Sequence, residues 1–206
     1  MVVNRGERGV LASVLILIVA AFAAASVFAY YPFQLTVSPV SPPVTFEYGN
    51  NSGQPDLGTG TISVSLGNNK TSVQVSIHPT YNTTYYKNVT LLNNSDSKEY
   101  KVYLIISEKQ VSLPSESKVY LIVYSSGATR NLIGYPNPEP ASSTYVNKIE
   151  LVNTDTDTPT LIGSLHERAI WEFDFLVRIP EGSSIEGASA IFKMHIVYTP
   201  SAEAPP

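Results

Sequence analysis

The sequence contains no cysteine, which excludes disulfide bonds, thiolate metal sites and cysteine nucleophiles together. It has no basic patch and a formal net charge of −4, so nucleic acid is not an expected partner. No Gly-x-Ser-x-Gly segment occurs, and His78, His166 and His195 lie on separate segments without metal-ligand spacing. We therefore assign no catalytic, cofactor-binding or metal-binding residues and expect that the protein is not an enzyme.

Two groups of acidic residues resemble parts of known sites, but each also has a simpler explanation. Residues 153–157 place three oxygen ligands at alternate positions, as at the start of a calcium loop, yet position 158 is not glycine and position 164 is not glutamate. Glu172 and Asp174 form a carboxylate pair of the kind that glycosidases use. Their i, i+2 spacing on a strand is also typical of a solvated face, which is the explanation that we prefer.

The first thirty residues have the layout of an export signal. A short charged start precedes a long apolar stretch, residues 10–28. Val27 and Ala29 are β-branched and small, as a signal peptidase requires. We predict that residues 1–29 are a signal peptide cleaved after Ala29, that the mature protein is extracellular, and that it contacts a membrane only during export.

Two alternatives for this segment remain open. A stretch of about 20 apolar residues is also long enough to be a permanent membrane anchor. In addition, residues 8–11 (Arg-Gly-Val-Leu) resemble the cleavage site of type IV pilins and archaellins, which retain the apolar helix as the core of a filament. Such a helix would have to end near Tyr31, because Pro32 cannot continue it.

After residue 30, almost every periodic segment has a period of two, and the segments are separated by Gly, Pro, Asn, Asp and Ser. This pattern predicts an all-β fold, a single jelly-roll-like β-sandwich of about eight or nine strands over residues 44–199. The clearest strand is residues 171–179, where apolar residues alternate with polar ones. We predict that it forms a C-terminal hairpin with residues 192–198.

Six further segments are predicted strands: residues 61–66, 72–77, 87–92, 99–107, 118–124 and 146–152. Residues 132–144 contain three prolines and are predicted to be a long exposed loop. Residues 200–206 are predicted to be a disordered tail.

Five Asn-x-Ser/Thr triplets predict N-linked glycosylation of an exported chain. They are centred on Asn50, Asn69, Asn82, Asn88 and Asn93. About two or three such triplets are expected by chance in this composition, so we expect at least two, rather than all, to carry glycans.

The predicted mature N-terminus begins with residues 30–43, an alternating segment followed by a Pro-rich tether. Phe33, Leu35 and Val37 alternate with polar residues, so an extended strand here has one apolar face. Such a strand either pairs within its own sandwich or completes the sheet of a neighbouring molecule by β-augmentation. The pattern alone does not separate these two cases.

Three segments together resemble the archaeal bundling pili and thread filaments, which are related to the TasA and camelysin biofilm-matrix proteins. They are Tyr-Pro-Phe-Gln-Leu-Thr-Val at 31–37, Asn-Val-Thr-Leu-Leu-Asn-Asn at 88–94 and Trp-Glu-Phe-Asp-Phe-Leu-Val-Arg-Ile-Pro at 171–180. The resemblance implies jelly-roll subunits in which the N-terminal strand, with Phe33, Leu35 and Val37, inserts into the next subunit. It also implies a glycosylated homopolymer of identical subunits, assembled head-to-tail and able to form lateral bundles.

Two other functions are kept as alternatives. The first is a type IV pilin-like subunit that retains the apolar helix. The second is a monomeric surface module that binds carbohydrate through exposed Tyr81, Tyr85 and Tyr86.

Overall fold

The computed structural model describes residues 5–23, 29–134, 138–200 and 203–205. The chain divides into two units, Met1–Val40 and Ser41–Pro206. The first unit contains helix α1 (Arg5–Ala23). Within the described residues, no helix combines the length and the apolar character that crossing a membrane requires. Much of the predicted signal-peptide junction, residues 24–28, lies outside the described residues.

The segment that follows the predicted cleavage position, residues 30–42, contains no β-strand. Its apolar side chains are exposed to solvent: Phe33 is 88 % exposed, Leu35 73 % and Val37 75 %. The predicted strand is therefore not formed in the single chain, and its formation in an assembly stays a prediction.

The second unit consists of strands. Those in the described residues are β1 (Val44–Tyr48), β2 (Ser63–Leu66), β3 (Val73–Ser76), β4 (Asn82–Asn94), β5 (Tyr100–Val111), β6 (Lys118–Ser125), β7 (Leu132–Ile133), β8 (Glu139–Pro140), β9 (Asn147–Glu150), β10 (Thr160–Leu165), β11 (Ile170–Ile179) and β12 (Ala190–Thr199). Within residues 44–199, the eight segments that the sequence predicts as strands each coincide with one of these, although several boundaries differ by a few residues.

Two main sheets form the sandwich. One has five strands in the order β1-β4-β11-β6-β9, and the other has three in the order β10-β5-β12. Strands β2 and β3 form a separate hairpin, as do β7 and β8, and all strand ladders are antiparallel. The all-β class is confirmed. The two main sheets together contain eight strands, divided five and three, as in a β-sandwich.

The core lies between the two main sheets. Trp171, Phe173 and Phe175 alternate along β11 and point inward, because successive side chains on a strand face opposite sides. They belong to the same buried cluster as Val102 and Leu104 of β5. The edge of Phe46 meets the ring of Phe173 with centroids 6.5 Å apart, a favoured aromatic geometry.

The predicted C-terminal hairpin is wrong. Strands β11 and β12 both exist, but β11 pairs with β4 and β6 in the larger sheet, whereas β12 pairs with β5 in the smaller one. Both edges of β11 are already occupied, so no position beside it is left for β12. Residues 180–189 therefore cross from one sheet to the other.

The predicted loop at residues 132–144 is only partly correct. It contains the short hairpin of β7 and β8, and Pro140 at the end of β8 is buried. Residues 135–137 lie outside the described residues. In the predicted tail, residues 203–205 have no regular structure, and residues 201, 202 and 206 are outside the described part of the chain.

Candidate functional site

The outward face of the larger sheet is not the solvated face that the sequence predicts. Glu172 and Asp174 lie on this face of β11, yet they are only 6 % and 0 % exposed. Arg130, from the segment after β6, covers the acidic pair on this face of the sheet. Asn88, Arg130, Glu172 and Asp174 form a buried charged group, which we call the Arg130 cluster.

Arg130 binds both carboxylates at once. Its Nε donates to Oδ2 of Asp174 at 2.9 Å, and its Nη2 donates to Oδ1 of Asp174 at 2.9 Å and to Oε2 of Glu172 at 2.6 Å. Its Nη1 donates to the carbonyl oxygen of Ala128 at 2.7 Å. The guanidinium carbon also lies 4.2 Å from the ring centroid of Tyr124, within cation–π range. The arginine thus ties the chain segment after β6 to the centre of the sheet.

Asn88 completes the cluster from a bulge in β4. Phe173 is paired with Thr90 and Phe175 with Tyr86, so residues 87–89 of β4 all lie opposite the single residue Asp174. Asn88 has a φ of 45°, the left-handed conformation that asparagine tolerates better than most residues. Such a bulge changes the direction in which the side chain of the bulged residue points.

The backbone N–H and both polar side-chain atoms of Asn88 make hydrogen bonds. Its backbone N–H donates to Oδ1 of Asp174 at 2.7 Å, and its Nδ2 donates to Oε2 of Glu172 at 2.7 Å. Its Oδ1 accepts from the backbone N–H of Asn50 at 2.9 Å. Gly127 N–H donates to the other oxygen of Glu172 at 2.8 Å. The cluster therefore joins the turn after β1, the bulge in β4 and the turn after β6.

Gly49 is the residue that allows the turn after β1 to approach the bulge. A Cβ at this position would lie 2.2 Å from the carbonyl oxygen of Asn88, a distance that real Cβ atoms do not reach. The close contact is with backbone, which cannot move aside as a flexible side chain would. Glycine is needed here for close approach rather than for a left-handed φ.

The surroundings of Glu172 and Arg130 favour the ionised forms of these two side chains. Burial alone would raise the pKa of Glu172, but the hydrogen bond from Gly127 N–H and the charge of Arg130 outweigh it, and the pKa is lowered. Burial would lower the pKa of Arg130, but its pairing with Asp174 and Glu172 raises it. The pKa of Tyr85 is raised by burial and by its 2.5 Å hydrogen bond to Oδ2 of Asp174.

These contacts determine what the acidic pair can do chemically. A glycosidase needs one carboxyl group with a raised pKa to act as the general acid. Here Glu172 is held ionised, and both carboxylates already accept two or more hydrogen bonds. The arrangement is suited to holding a loop against the sheet, not to proton transfer.

An open cleft of about 320 Å³ lies over the cluster. Its lining is mixed polar and apolar and includes the buried ion pair of Arg130 and Glu172. The lining residues are Asn50, Asn51, Lys87, Asn88, Gly127, Ala128, Arg130 and Glu172.

The five predicted glycosylation sites differ in their surroundings. Asn88 is buried, and its amide nitrogen is bound to Glu172. Asn93 is partly buried, and its amide nitrogen donates to Oε1 of Glu47 at 2.7 Å. Asn50, Asn69 and Asn82 are exposed.

The exposed apolar side chains of residues 33–37 and the edge strand β12 are the other candidate features. Strand β12 is an edge strand of the three-stranded sheet and is ten residues long. Its inward-facing side chains Phe192, Met194 and Ile196 pack against the core but are only partly buried. The smaller sheet therefore leaves part of the core thinly covered beside β12.

The remaining candidates are not brought together. Tyr81, Tyr85 and Tyr86 do not form an exposed platform, because Tyr86 is buried in the core and Tyr85 is hydrogen-bonded to the cluster on the opposite face. His78 contacts Asp56 and His166 contacts Glu99. Within the described residues, no three His, Cys, Asp or Glu side chains are grouped so as to hold a metal ion.

Sequence analysis missed Arg130 and the role of Asn88. Two acidic residues inside a largely apolar strand were a signal that a buried cation was required, since an unpaired buried charge is very costly. The sequence did not indicate which of the basic residues supplies it. No protein-family model matches the chain, and no curated protein sequence matches it.

Proposed function

We propose that the chain is an exported, glycosylated structural subunit of an extracellular filament, which polymerises head-to-tail when the N-terminal segment of one copy adds to a sheet of the next. The observation that carries this proposal is the exposure of an alternating apolar segment. Phe33, Leu35 and Val37 are 73–88 % exposed, which is unfavourable for three large side chains on one face of an extended segment.

The proposed acceptor is the open edge of β12. An added strand there would complete a fourth position in the smaller sheet and would cover Phe192, Met194 and Ile196, which are only partly buried. Main-chain hydrogen bonds along the edge would supply affinity, and alternate side chains would supply specificity. Long open edges of this kind are normally covered or paired in native proteins.

The energetic gain of this addition is substantial. Burying a Phe, Leu or Val side chain contributes about 1.5–3 kcal/mol, so the three donor side chains contribute roughly 5–9 kcal/mol before the cost of ordering the segment. The Pro-rich stretch up to Pro43 favours an extended tether, which reduces that cost. A contact between two different surfaces does not close on itself, so it generates an open chain of subunits.

The Arg130 cluster has a supporting role in this proposal. It fixes the turns after β1 and β6 to the larger sheet, on the face opposite the core. A filament subunit carries load through its sandwich, and a multiply hydrogen-bonded buried group makes local opening of these turns less frequent.

The test compares two double variants that add the same charge to opposite faces of the donor segment. Phe33→Asp/Leu35→Asp alters the apolar face, and Gln34→Asp/Thr36→Asp alters the polar face. Each variant and the natural protein are purified from the medium of producing cells and viewed by negative-stain electron microscopy, with N-terminal sequencing of each sample.

We expect filaments from the natural protein and from the polar-face variant, monomers from the apolar-face variant, and Tyr30 as the first residue. Filaments whose subunits begin near Val10 would instead support the pilin-like alternative, in which α1 is retained. A natural protein that stays monomeric at high concentration would refute both assemblies.

A further inference from the structure

The five glycosylation triplets are not equivalent acceptors in the folded chain. A transferase needs an accessible amide nitrogen, and that of Asn88 is buried against Glu172, while that of Asn93 is bound to Glu47. Asn50, Asn69 and Asn82 are exposed, and their side-chain amides make no hydrogen bond within the described residues. The fold thus leaves three candidate acceptors.

Asn50 differs from the other two because it lies on the wall of the cleft above the Arg130 cluster. Its backbone N–H is held by Oδ1 of Asn88 at 2.9 Å, and the neighbouring Asn51 is held through its Nδ2 to the carbonyl oxygen of Lys87 at 2.6 Å. The position of the acceptor relative to the cleft is therefore fixed by the fold.

We propose that Asn50 carries an N-linked glycan whose first sugar residues lie in this cleft and cover the ion pair of Arg130 and Glu172. This inference rests on the proposed function for export of the chain, because the glycosylation machinery acts on exported proteins. It is independent of whether the chain forms filaments.

The chemistry of the cleft suits a polyhydroxylated ligand. Its lining combines polar groups, supplied by Lys87, Asn51 and the backbone of Gly127, with a similar share of apolar surface, and sugar rings present both hydroxyl groups and C–H faces. A volume of about 320 Å³ equals the space of roughly ten water molecules at ~30 Å³ each, so sugar rings can replace that water. Attachment at Asn50 makes the contact intramolecular, with an effective concentration on the order of millimolar, so weak contacts suffice.

The modification itself is a glycosyl transfer from a lipid-linked oligosaccharide phosphate. The Asn50 amide nitrogen Nδ2 forms a bond to C1 of the sugar, and the bond between C1 and the phosphate oxygen breaks. The lipid phosphate leaves with the electron pair, and the amide nitrogen loses one proton. Ser52 completes the acceptor triplet, so Ser52→Ala prevents the transfer without altering Asn50.

The experiment uses the natural glycoprotein and two variants produced in the same cells. Ser52→Ala removes the acceptor triplet at Asn50, and Thr71→Ala removes that at Asn69 as the matched control. Glycopeptide mass spectrometry reports which asparagines are modified. Hydrogen exchange measured by mass spectrometry reports the protection of residues 125–130, which include Gly127, Ala128 and Arg130 of the cleft lining.

We expect Asn50 to be occupied and Asn88 to be unmodified. We expect exchange in residues 125–130 to be several-fold faster in Ser52→Ala than in the natural protein, and unchanged in Thr71→Ala. An unmodified Asn50, a glycan at Asn88, or equal exchange in the two variants would each overturn the inference. Electron microscopy of the same samples judges filament formation separately, so failure of one proposal is distinguishable from failure of the other.

Discussion

Replacing Arg130 by methionine removes the only cation of the Arg130 cluster and leaves two carboxylates on the covered face of the sheet. The Arg130, Glu172 and Asp174 side chains are 7 %, 8 % and 0 % exposed, so water cannot take the place of the guanidinium without opening the structure. Breaking a buried ion pair by removing one partner costs about 3–5 kcal/mol. Global stabilities are about 5–15 kcal/mol, so a large fraction would be lost.

For a domain of this size, each kcal/mol lowers Tm by about 2–4 °C, so we expect Arg130→Met to lower Tm by about 6–20 °C at neutral pH. The deficit should narrow as the pH falls. In the variant, burial of Glu172 without the charge of Arg130 raises its pKa, so protonation of Glu172 stabilises the fold toward acid. In the natural protein the pKa of Glu172 is lowered, so its contribution is lost as the pH falls.

Thermal denaturation followed by circular dichroism at pH 7 and pH 4 measures both effects. The matched control is Lys193→Ala, which breaks the exposed ion pair with Glu108 and should leave Tm nearly unchanged. The triple variant Arg130→Met/Glu172→Gln/Asp174→Asn, which removes all three charges, should recover most of the lost Tm. A Tm for Arg130→Met within 2 °C of the natural protein, on the order of the ~0–1 kcal/mol of a surface pair, would refute the assignment of a buried cluster.

Two further predictions concern stability. Gly49→Ala should lower the urea midpoint more than Gly53→Ala. The first substitution places a Cβ against the carbonyl group of Asn88, whereas the second adds only the strain of a positive φ. Equal decreases of the urea midpoint would contradict this account. Acid should also destabilise the natural protein. Burial would raise the pKa values of Glu172 and Glu139, but hydrogen bonds and ion pairs lower both pKa values below the unfolded value of about 4.3. The stabilisation from these two carboxylates is therefore present above that pH and is lost as the pH falls further. A urea midpoint that stays constant or rises between pH 5 and pH 3 would disagree with this sign.

The strands could be predicted from the sequence because segments rich in β-branched and aromatic residues, several of them alternating with polar residues, are separated by turn residues. Residues 171–179 are the clearest case, and β11 occupies Ile170–Ile179. The pairing of strands could not be predicted in the same way. A short connection is typical of a hairpin, but residues 180–189 cross between sheets because β4 and β6 had already taken both edges of β11.

The buried cluster shows a second limit of pattern-based prediction. Alternation at Glu172 and Asp174 correctly separates the two faces of β11, but it does not report what covers the second face. The second face is covered by Arg130, which is more than 40 residues away in sequence, and by a bulge at Asn88 that the local sequence pattern does not predict. Long-range contacts of this kind depend on the complete fold.

The N-terminal segment shows the reverse situation. The alternation of Phe33, Leu35 and Val37 predicts a strand, but the single chain has no strand there and the three side chains are exposed to solvent. A strand needs a neighbour for its backbone hydrogen bonds, and a second molecule is outside what one sequence or one chain can display.

Disulfide cross-linking between two single-cysteine preparations tests the proposed assembly most directly, since the natural chain contains no cysteine. One preparation carries Leu35→Cys and the other carries Met194→Cys, with Phe192→Cys and Ile196→Cys to cover a slip of two residues in register. Neighbouring strands place facing Cβ atoms about 4.5–5.5 Å apart, close enough for a disulfide after small adjustments. We expect a high yield of the mixed disulfide for one of these three acceptor positions and a low yield for the outward-facing Lys193→Cys. Equal yields at all four positions, or no disulfide at any of them, would contradict donation of the N-terminal segment to β12.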